Sequence, residues 1–450
     1  ASVIAVDGVL LKLRATTAAE PAHAINAHGD TRAELLRVSG ELAALVDGRS
    51  TDQVRADMAD RHARGEIFNP EWLDRIRGLR MVRFMDWMVT NDSTVALPAD
   101  RPRAAHFSWA LRGVPLEVMV ELANRLGADP WFNIPHLASD DLMREMALIV
   151  REGLAPGLRA HVEYSNEVWN WQFEQAQWAE REGVARWGPG AGRWVQYHTL
   201  RAARMVGIWN EVFGPDGQDR LVRVISSQTG WLGLEEEVLT APLWRAEEPG
   251  RPLPSSLFDA YAVTGYFSAG LGAGPKAAMV HDWLRRSAAE AEAEAAALGL
   301  GPAGRLVHAA RHRLDLARDL AAAELADGAV SGDWTGSVRH LLAEVLPYHA
   351  RVAARHGLTL MMYEGGTHLV GIGEHVSDDS LAAFFIDMNY SAQMAGLYDM
   401  LLDGWAALTD APFNAFVDVA TPTRHGSWGG LRHLDDDNPR WQALRRARGP

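Results

Sequence analysis

The chain alternates between short apolar runs and amphipathic stretches over most of its 450 residues, and this alternation constrains the fold more than any other feature. The runs have the length and character of buried strands, and the stretches between them have helical spacing. Repeated strand–helix units favour parallel pairing, so the fold class is α/β, and about eight such units close into a (β/α)8 barrel. Seven strands are predicted, at residues 78–87, 129–134, 158–164, 221–226, 258–263, 358–363 and 413–419, with no obvious eighth.

The predicted helices have recognisable ends. Gly127 stops a helix that starts at Pro115, and Ser139 caps a helix with Asp140 and Asp141 in its first turn, where carboxylates suit the helix dipole. Further helices are predicted at residues 168–183, 193–213, 336–356 and 378–402.

Three regions depart from the alternation. Residues 1–66 are predicted to be an N-terminal appendage, with a β-hairpin at 3–13 turning on Asp7-Gly8 and helical spacing at 31–63. The barrel is predicted to span residues 67–430, interrupted at about 272–335 by an inserted helical hairpin with helices at 288–298 and 306–325. Residues 431–450 are predicted to be a C-terminal tail.

Composition excludes several classes of protein. With 48% hydrophobic and 23% charged residues, the chain is predicted to be globular rather than disordered or fibrous. A net charge of -14 argues against nucleic acid as a partner, because that binding needs Lys and Arg on the phosphates. No apolar run approaches the roughly 18 residues that span a bilayer, so no membrane partner is expected. The absence of Cys excludes disulfides and thiolate metal sites.

Two glutamates follow predicted strands and are the candidate catalytic residues. Glu167 follows the run that ends at Tyr164, and Glu364 follows the run that ends at Tyr363. Carboxyl ends of parallel strands meet at one face of a barrel, where catalytic residues sit. A pair of carboxyl groups at such a face is what hydrolysis of a glycosidic bond needs.

The neighbours of the two glutamates favour these roles. Asn166 can donate a hydrogen bond to a sugar 2-hydroxyl, a contact that strengthens in the transition state. Gly365 and Gly366 relieve crowding beside Glu364, as a nucleophile at an anomeric carbon requires.

Several segments together resemble a known family. They resemble bacterial proteins often labelled cellulose-binding, which are in turn similar to the clan A retaining glycoside hydrolases with (β/α)8 barrels. The resemblance covers residues 67–430 and rests on the segments 83–87 (RFMDW), 90–92 (TND), 129–136 (DPWFNIPH), 163–170 (EYSNEVWN) and 363–368 (YEGGTH).

The resemblance implies roles for single residues. It makes Glu167, after the fourth barrel strand, the acid/base and Glu364, at the end of the seventh, the nucleophile. It also implies that Tyr266 hydrogen-bonds the nucleophile, that Arg83 keeps it ionised and that Trp428 forms the floor of the sugar subsite. A nearby guanidinium lowers a carboxylate pKa, and an aromatic face covers the C–H face of a pyranose.

Other polar residues near these motifs are candidates for substrate binding. Asp86 and Trp87 end the first predicted strand, and His136 and His368 lie at later strand ends, so all four are expected to line the pocket. Asp86, His136 and His368 could instead join the two glutamates as ligands of a divalent metal, as in (β/α)8 sugar isomerases.

The sequence therefore predicts a retaining β-glycoside hydrolase that acts by double displacement, with an oligosaccharide or polysaccharide as its substrate. The two carboxyl groups are expected ~5–5.5 Å apart. No metal or other cofactor is expected. A non-catalytic glycan-binding protein on the same scaffold and a metal-dependent sugar isomerase stay open as alternatives. A polymeric substrate would make the protein a secreted or periplasmic bacterial one, and the sequence does not predict an oligomeric state.

Overall fold

The structure is a computed structural model that describes residues 53, 60, 61, 63–106 and 108–448. The predicted hairpin at 3–13 lies outside the described residues, as does nearly all of the predicted helical segment at 31–63. The chain divides into two compact units, one formed by residues 1–77 with 105–111 and the other by residues 78–104 with 112–450.

The described residues of the smaller unit include a short helix. Helix α1 (Pro70–Ile76) begins after Asn69, whose side chain accepts a hydrogen bond from the backbone N–H of Glu71 at 2.9 Å. Pro70 occupies the first turn, where its missing N–H costs nothing. Trp72 and Ile76 are the buried residues of this helix.

The larger unit is a mixed α/β structure around a parallel sheet. Within the described residues the sheet has six strands, and their spatial order is their order in the chain. Every neighbouring pair is parallel. The strands are β1 (Met81–Arg83), β2 (Asp129–Ile134), β3 (Ala160–Tyr164), β4 (Leu221–Ser226), β5 (Ala260–Phe267) and β6 (Thr359–Thr367).

Helices fill the connections between the strands and follow β6. They are α2 (Leu116–Leu126), α3 (Asp140–Gly153), α4 (Glu174–Trp187), α5 (Arg193–Phe213), α6 (Leu234–Thr240), α7 (Pro242–Ala246), α8 (Gly274–Ala297), α9 (Pro302–His312), α10 (Asp315–Asp327), α11 (Val338–His340), α12 (Leu346–His356), α13 (Asp379–Asn389), α14 (Ala392–Ala406) and α15 (Pro439–Ala447). A π-helical stretch (Leu341–Val345) joins α11 to α12, and short 3-10 helices lie at Pro98–Asp100, Pro215–Arg220, Pro254–Leu257 and Gly373–Ser377. Among the described residues, no helix combines the length and the apolar character needed to cross a membrane.

The predicted end signals are present. Ser139 accepts a hydrogen bond from the backbone N–H of Leu142 at 3.2 Å and caps α3. Gly127 ends α2 with a φ of 65°, a left-handed conformation that Gly adopts without strain. Every residue of β3 is buried, and so is every residue of β2 except Asp129, in keeping with strands covered on both faces.

Two predicted strands differ from the structure. The first is shortened to β1, because the backbone turns at residues 84–89. Residues 413–419 form two isolated bridges instead of a strand, one from Ala415 to Gly365 of β6 and one from Val419 to Leu431. The reason is that their backbone bonds the loop that follows: Val417 donates to the carbonyl of Trp428 at 2.8 Å, and Gly430 donates back to Val417 at 2.8 Å.

The insertion holds one helix more than the predicted hairpin. It contains three helices, α8 to α10, and α8 alone has 24 residues. Lys276 of α8 forms a 2.8 Å ion pair with the fully buried Glu324 of α10, which ties the first and last helices together.

The two ends of the sheet approach each other. Arg80, just before β1, donates a hydrogen bond to the carbonyl of Asp410 at 3.4 Å, and Asp410 precedes the segment that bridges β6. The sheet is therefore nearly closed into a barrel, and the carboxyl ends of its parallel strands lie at one edge.

Candidate active site

The predicted catalytic and binding residues come from strands that end at one edge of the sheet. Arg83 ends β1, Tyr266 lies near the end of β5, and Glu364 lies in the last half of β6. Tyr266 and Gly366 are paired in the parallel register of β5 and β6. Parallel strands bring such residues together although they are far apart in sequence.

Glu364 is held by two donors. Arg83 Nη1 donates to Glu364 Oε1 at 2.8 Å, and the Tyr266 hydroxyl donates to Oε2 at 3.0 Å. The Glu364 residue is 8% exposed, so both contacts lie in a medium where charge interactions are weakly screened. Each carboxylate oxygen thus has a fixed partner, which orients the group.

Arg83 is shared with a second buried carboxylate, Glu163. Arg83 Nη2 donates to Glu163 Oε2 at 2.9 Å. The same oxygen accepts from Trp131 Nε1 at 3.0 Å and from Asn133 Nδ2 at 2.7 Å, and Ser226 donates to the other oxygen. Burial opposes ionisation of Arg83, but Glu163 and Glu364 outweigh it and raise its pKa above the ordinary value. Arg83 is a permanent cation at this site.

Glu167 sits on a strained turn directly after β3. Ser165 and Glu167 have φ values of 65° and 41°, which non-Gly residues rarely adopt. The Glu167 carboxylate accepts from the Tyr363 hydroxyl at 3.1 Å and from Asn170 Nδ2 at 3.0 Å. It is half-buried, so it is the more accessible of the two glutamates. Strain of this kind clusters at functional sites.

Asn166 connects the two parts of the site. Its Oδ1 accepts from Arg83 Nη2 at 2.8 Å, and its Nδ2 donates to Asn91 Oδ1 at 3.1 Å. Gln175 supports the turn by donating to Asn91 Oδ1 at 2.7 Å and to the Asn166 carbonyl at 2.9 Å. The Asn166 amide group therefore has protein partners at both ends in this structure.

The protonation of Glu364 is perturbed strongly. Burial raises the pKa of Glu364 to about 8, against the lowering effect of Arg83, and the negative charge of Glu167 raises it further. The hydrogen bond from Tyr266 lowers it and the charge of Asp86 raises it. Glu364 and Glu167 therefore interact electrostatically and do not readily carry two negative charges at once.

Three aromatic side chains form a cluster beside Glu364. The Tyr266 and Trp428 rings are 6.0 Å apart, the His368 and Trp428 rings 5.2 Å apart, and the Tyr266 and His368 rings 5.9 Å apart. All three residues are partly exposed. The predicted platform residue Trp428 thus packs against the tyrosine that donates to Glu364.

The loop that carries Trp428 is held by hydrogen bonds from α15. Arg440 Nη1 donates to the carbonyl of Ser427 at 2.8 Å, and its Nη2 donates to the carbonyl of Gly429. Arg440 is fully buried and its guanidinium lies over the Tyr390 ring, 4.6 Å from the centroid. The C-terminal helix thereby sets the position of the Trp428 backbone.

Three predicted binding residues lie outside this hydrogen-bonded network. His136 is 1% exposed and its ring packs against Trp178 at 5.3 Å. Trp87 is buried and packs against Phe84 at 5.4 Å. Asp86 is exposed, and its negative charge raises the pKa of Glu364.

Sequence reasoning missed the residues that support the two glutamates. Glu163 lies in the 163–170 segment with no role predicted for it, yet it is the second partner of Arg83. A signal was present, because a charged residue in the middle of an apolar strand must find a buried partner. Tyr363 and Asn170 donate hydrogen bonds to Glu167. Nothing in the sequence indicates these contacts, because they depend on the turn at residues 165–167.

In the part of the chain that the structure describes, no group of three or more His, Asp or Glu side chains is arranged to hold a metal ion. Comparison of the chain with protein-family models, with curated proteins and with solved structures finds no match in any of the three.

Proposed function

We propose that the protein is a retaining β-glycoside hydrolase on a (β/α)8 barrel, with β1 to β6 in barrel positions two to seven and residues 413–417 in position eight. The sequential parallel order of the strands supports the barrel. So do the bridge from Ala415 to β6 and the contact of Arg80 with Asp410 across the ends of the sheet. No strand of the described residues fills position one.

The observation that carries the proposal is the environment of Glu364. One carboxylate oxygen accepts a hydrogen bond from the Arg83 guanidinium, and the other accepts one from the Tyr266 hydroxyl. These two donors orient the carboxylate and favour its ionised form. Both donors come from strands, which position groups more rigidly than loops do. A fixed, buried carboxyl group near the carboxyl end of a parallel strand suits a nucleophile.

Glu167 suits the acid/base role. It is more accessible than Glu364, and two neutral side chains, Tyr363 and Asn170, donate hydrogen bonds to its carboxylate. The electrostatic coupling of the two carboxyl groups favours a state with one proton between them. Arg83 and Tyr266 act against the burial that raises the pKa of Glu364, and catalysis uses the distribution that they favour, with the negative charge on Glu364 and the proton on Glu167.

Double displacement follows from this arrangement. Glu364 attacks the anomeric carbon, the bond from that carbon to the leaving oxygen breaks, and Glu167 donates its proton to that oxygen. Water then attacks the glycosyl ester, Glu167 takes the proton of the water, and the carboxylate of Glu364 leaves. The face of Trp428 covers the C–H face of the sugar held between them.

Substitution of the two glutamates tests the proposal. On a panel of aryl β-glycosides and polysaccharides, E364Q should lose turnover, and E167Q should lose roughly 10²–10⁴-fold in kcat because general acid–base catalysis is removed. The control is E152Q, on the exposed face of α3, which should keep wild-type activity. NMR of the first product should detect the β anomer.

Azide separates the two roles. In E364A, azide fills the space of the nucleophile and should give an α-glycosyl azide; in E167A it attacks the glycosyl-enzyme and should give a β-glycosyl azide. An α anomer as the first wild-type product, or full activity of E364Q, would refute the assignment. Tight glycan binding with no released reducing ends from the wild-type protein would instead favour a non-catalytic glycan-binding protein.

A further inference from the structure

A cluster of three tryptophans lies beside Glu167 and has no part in the proposed chemistry. The rings of Trp171 and Trp194 are 5.1 Å apart, and those of Trp194 and Trp231 are 5.9 Å apart. Trp194 is buried, but Trp171 is 46% exposed and Trp231 is 48% exposed. We refer to Trp171, Trp194 and Trp231 as the tryptophan cluster.

The cluster is built on the loops of the catalytic edge. Trp171 lies between β3 and α4, and Trp231 lies between β4 and α6, so both follow the carboxyl end of a strand. Trp194 belongs to the first turn of α5 and supports both rings. The two exposed indoles are thus held by a third at fixed spacing.

The cluster is continuous with the acid/base. Asn170 donates to Glu167 Oε2 at 3.0 Å, and its own Oδ1 accepts from the backbone N–H of Gln172 at 3.2 Å. Trp171 lies between these two residues in the chain. The backbone of Trp171 therefore belongs to the same hydrogen-bonded turn that holds Glu167.

Exposed indoles at fixed spacing are costly for a soluble surface unless something covers them. Flat aromatic faces suit the C–H faces of pyranoses, above all those whose ring substituents are equatorial. Glu235, Glu236 and Glu237 follow Trp231 in the first turn of α6; Glu235 is buried, and Glu236 forms a 2.7 Å ion pair with Arg355. With a net charge of -14 for the whole chain, this surface disfavours an anionic sugar.

We propose that the tryptophan cluster is a pair of leaving-group subsites for a neutral glycan of equatorially substituted, β-linked pyranoses. The inference rests on the proposed function for its direction along the glycan. It makes the substrate an oligosaccharide or polysaccharide, with sugars beyond the scissile bond stacked on Trp171 and Trp231, rather than a monosaccharide glycoside.

Binding is measured first, by isothermal titration of E364Q with the β-1,4-linked hexasaccharides of glucose, xylose and mannose and with hexagalacturonate. At least one neutral hexasaccharide should bind, and hexagalacturonate should bind at least tenfold more weakly. W171A and W231A in the same background should each weaken that binding at least fivefold, and W171F should recover part of it. The control is L253A, an exposed apolar residue that precedes β5 at the opposite edge.

Kinetics with the active enzyme distinguish the subsites. W171A and W231A should lower kcat/KM for the hexasaccharide at least tenfold and leave kcat/KM for the 4-nitrophenyl monoglycoside within twofold. Equal losses on both substrates would mean a structural role and would overturn the proposal.

The outcomes separate this proposal from the proposed function. Hexasaccharide binding that depends on Trp171 and Trp231, without any hydrolysis, would overturn the proposed hydrolase function and support the tryptophan cluster as a glycan-binding site. Hydrolysis unaffected by either substitution, or no binding of any neutral hexasaccharide, would overturn the proposal that the tryptophan cluster binds the substrate. A dimer in analytical ultracentrifugation that W171A dissociates, with glycan binding unchanged, would assign the surface to a second copy of the chain and would also overturn it.

Discussion

At the scale of single residues, Arg83 organises the site. One guanidinium holds Glu163 through Nη2 and Glu364 through Nη1, and it also lies over the Tyr363 ring, 5.0 Å from the centroid. Glu163 has four donors of its own, so it is a fixed anchor. Glu364 has two, and burial makes its negative charge expensive. The site therefore holds in place a carboxyl group whose ionisation is costly.

That cost predicts how stability depends on pH. The pKa of Glu364 is raised from 4.5 to about 8 by burial, so between these values the folded protein holds a proton that the unfolded chain releases. Raising the pH through this window therefore lowers the free energy of unfolding. E364Q lacks the titration, so its stability relative to wild type should grow from pH 5 to pH 8 by roughly 2–4 kcal/mol, at about 1.4 kcal/mol per pKa unit.

Thermal unfolding of both proteins from pH 4.5 to pH 9 measures this difference. E152Q controls for the loss of a carboxyl group at the surface and should follow the wild-type curve. Parallel Tm profiles for wild type and E364Q would contradict the burial cost assigned to Glu364.

The neighbours of Glu364 predict opposite shifts in the pH profile of activity. In the proposed mechanism the active state has one proton on the pair of glutamates, so kcat/KM should fall as that proton leaves near pH 8. Arg83 lowers the pKa of Glu364, so R83M should move the alkaline limb to higher pH and reduce kcat. Asp86 raises it, so D86N should move the limb to lower pH.

Profiles of kcat/KM for the three proteins at low and high salt check both signs. The D86N shift should be the smaller and should shrink in high salt, because Asp86 is exposed and screened. Shifts in the same direction for both variants would contradict this account of the electrostatics.

At the scale of elements, the sequence predicted a strand or a helix end correctly where a single continuous run of residues determines it. Buried apolar runs located β2, β3 and β4 within two residues, and Ser139 and Gly127 marked real helix ends. The sequence failed at residues 413–419, because their backbone pairs with the loop at 428–431, and pairing of that kind leaves no periodic pattern. The same limit applies to the candidate site. The carboxylates at the strand ends could be predicted, because they follow apolar runs, but the packing of His136 against Trp178 depends on tertiary structure and could not.

One element that the sequence treated as a tail supports the site. Helix α15 is held at its start by Asn438, which accepts from the backbone N–H of Trp441 at 3.0 Å. Its Arg440 satisfies the carbonyls of Ser427 and Gly429 on either side of Trp428. R440M should therefore leave the Ser427 carbonyl without this donor and the Gly429 carbonyl with only the Tyr390 hydroxyl at 3.3 Å, and lower stability by about 2–4 kcal/mol.

The second effect of R440M should be on substrate binding. With its loop released, Trp428 no longer covers the sugar, so KM for an aryl glycoside should rise more than kcat falls. R440K should recover part of both effects, since it restores one donor. Loss of stability with an unchanged KM would show that α15 has no influence on Trp428.

At the scale of the whole molecule, the two ends of the sheet are its weakest part. β1 has three residues, and residues 413–417 contact β6 through one bridge, whereas β3 and β4 are each paired on both sides. The bond from Arg80 to the Asp410 carbonyl, at 3.4 Å, spans the ends. Local opening starts where few contacts must break, so the protein should open first between β1 and residues 413–417.

Hydrogen exchange followed by mass spectrometry tests this order of opening. Amides of residues 81–84 and 413–417 should exchange faster than those of β4. R80M should speed exchange at those two segments roughly two- to fivefold, as expected for a bond of about 0.5–1 kcal/mol, and leave β4 unchanged. Equal protection of 81–84 and β4 would mean that a further strand covers β1, because only a paired edge is protected like the centre of a sheet.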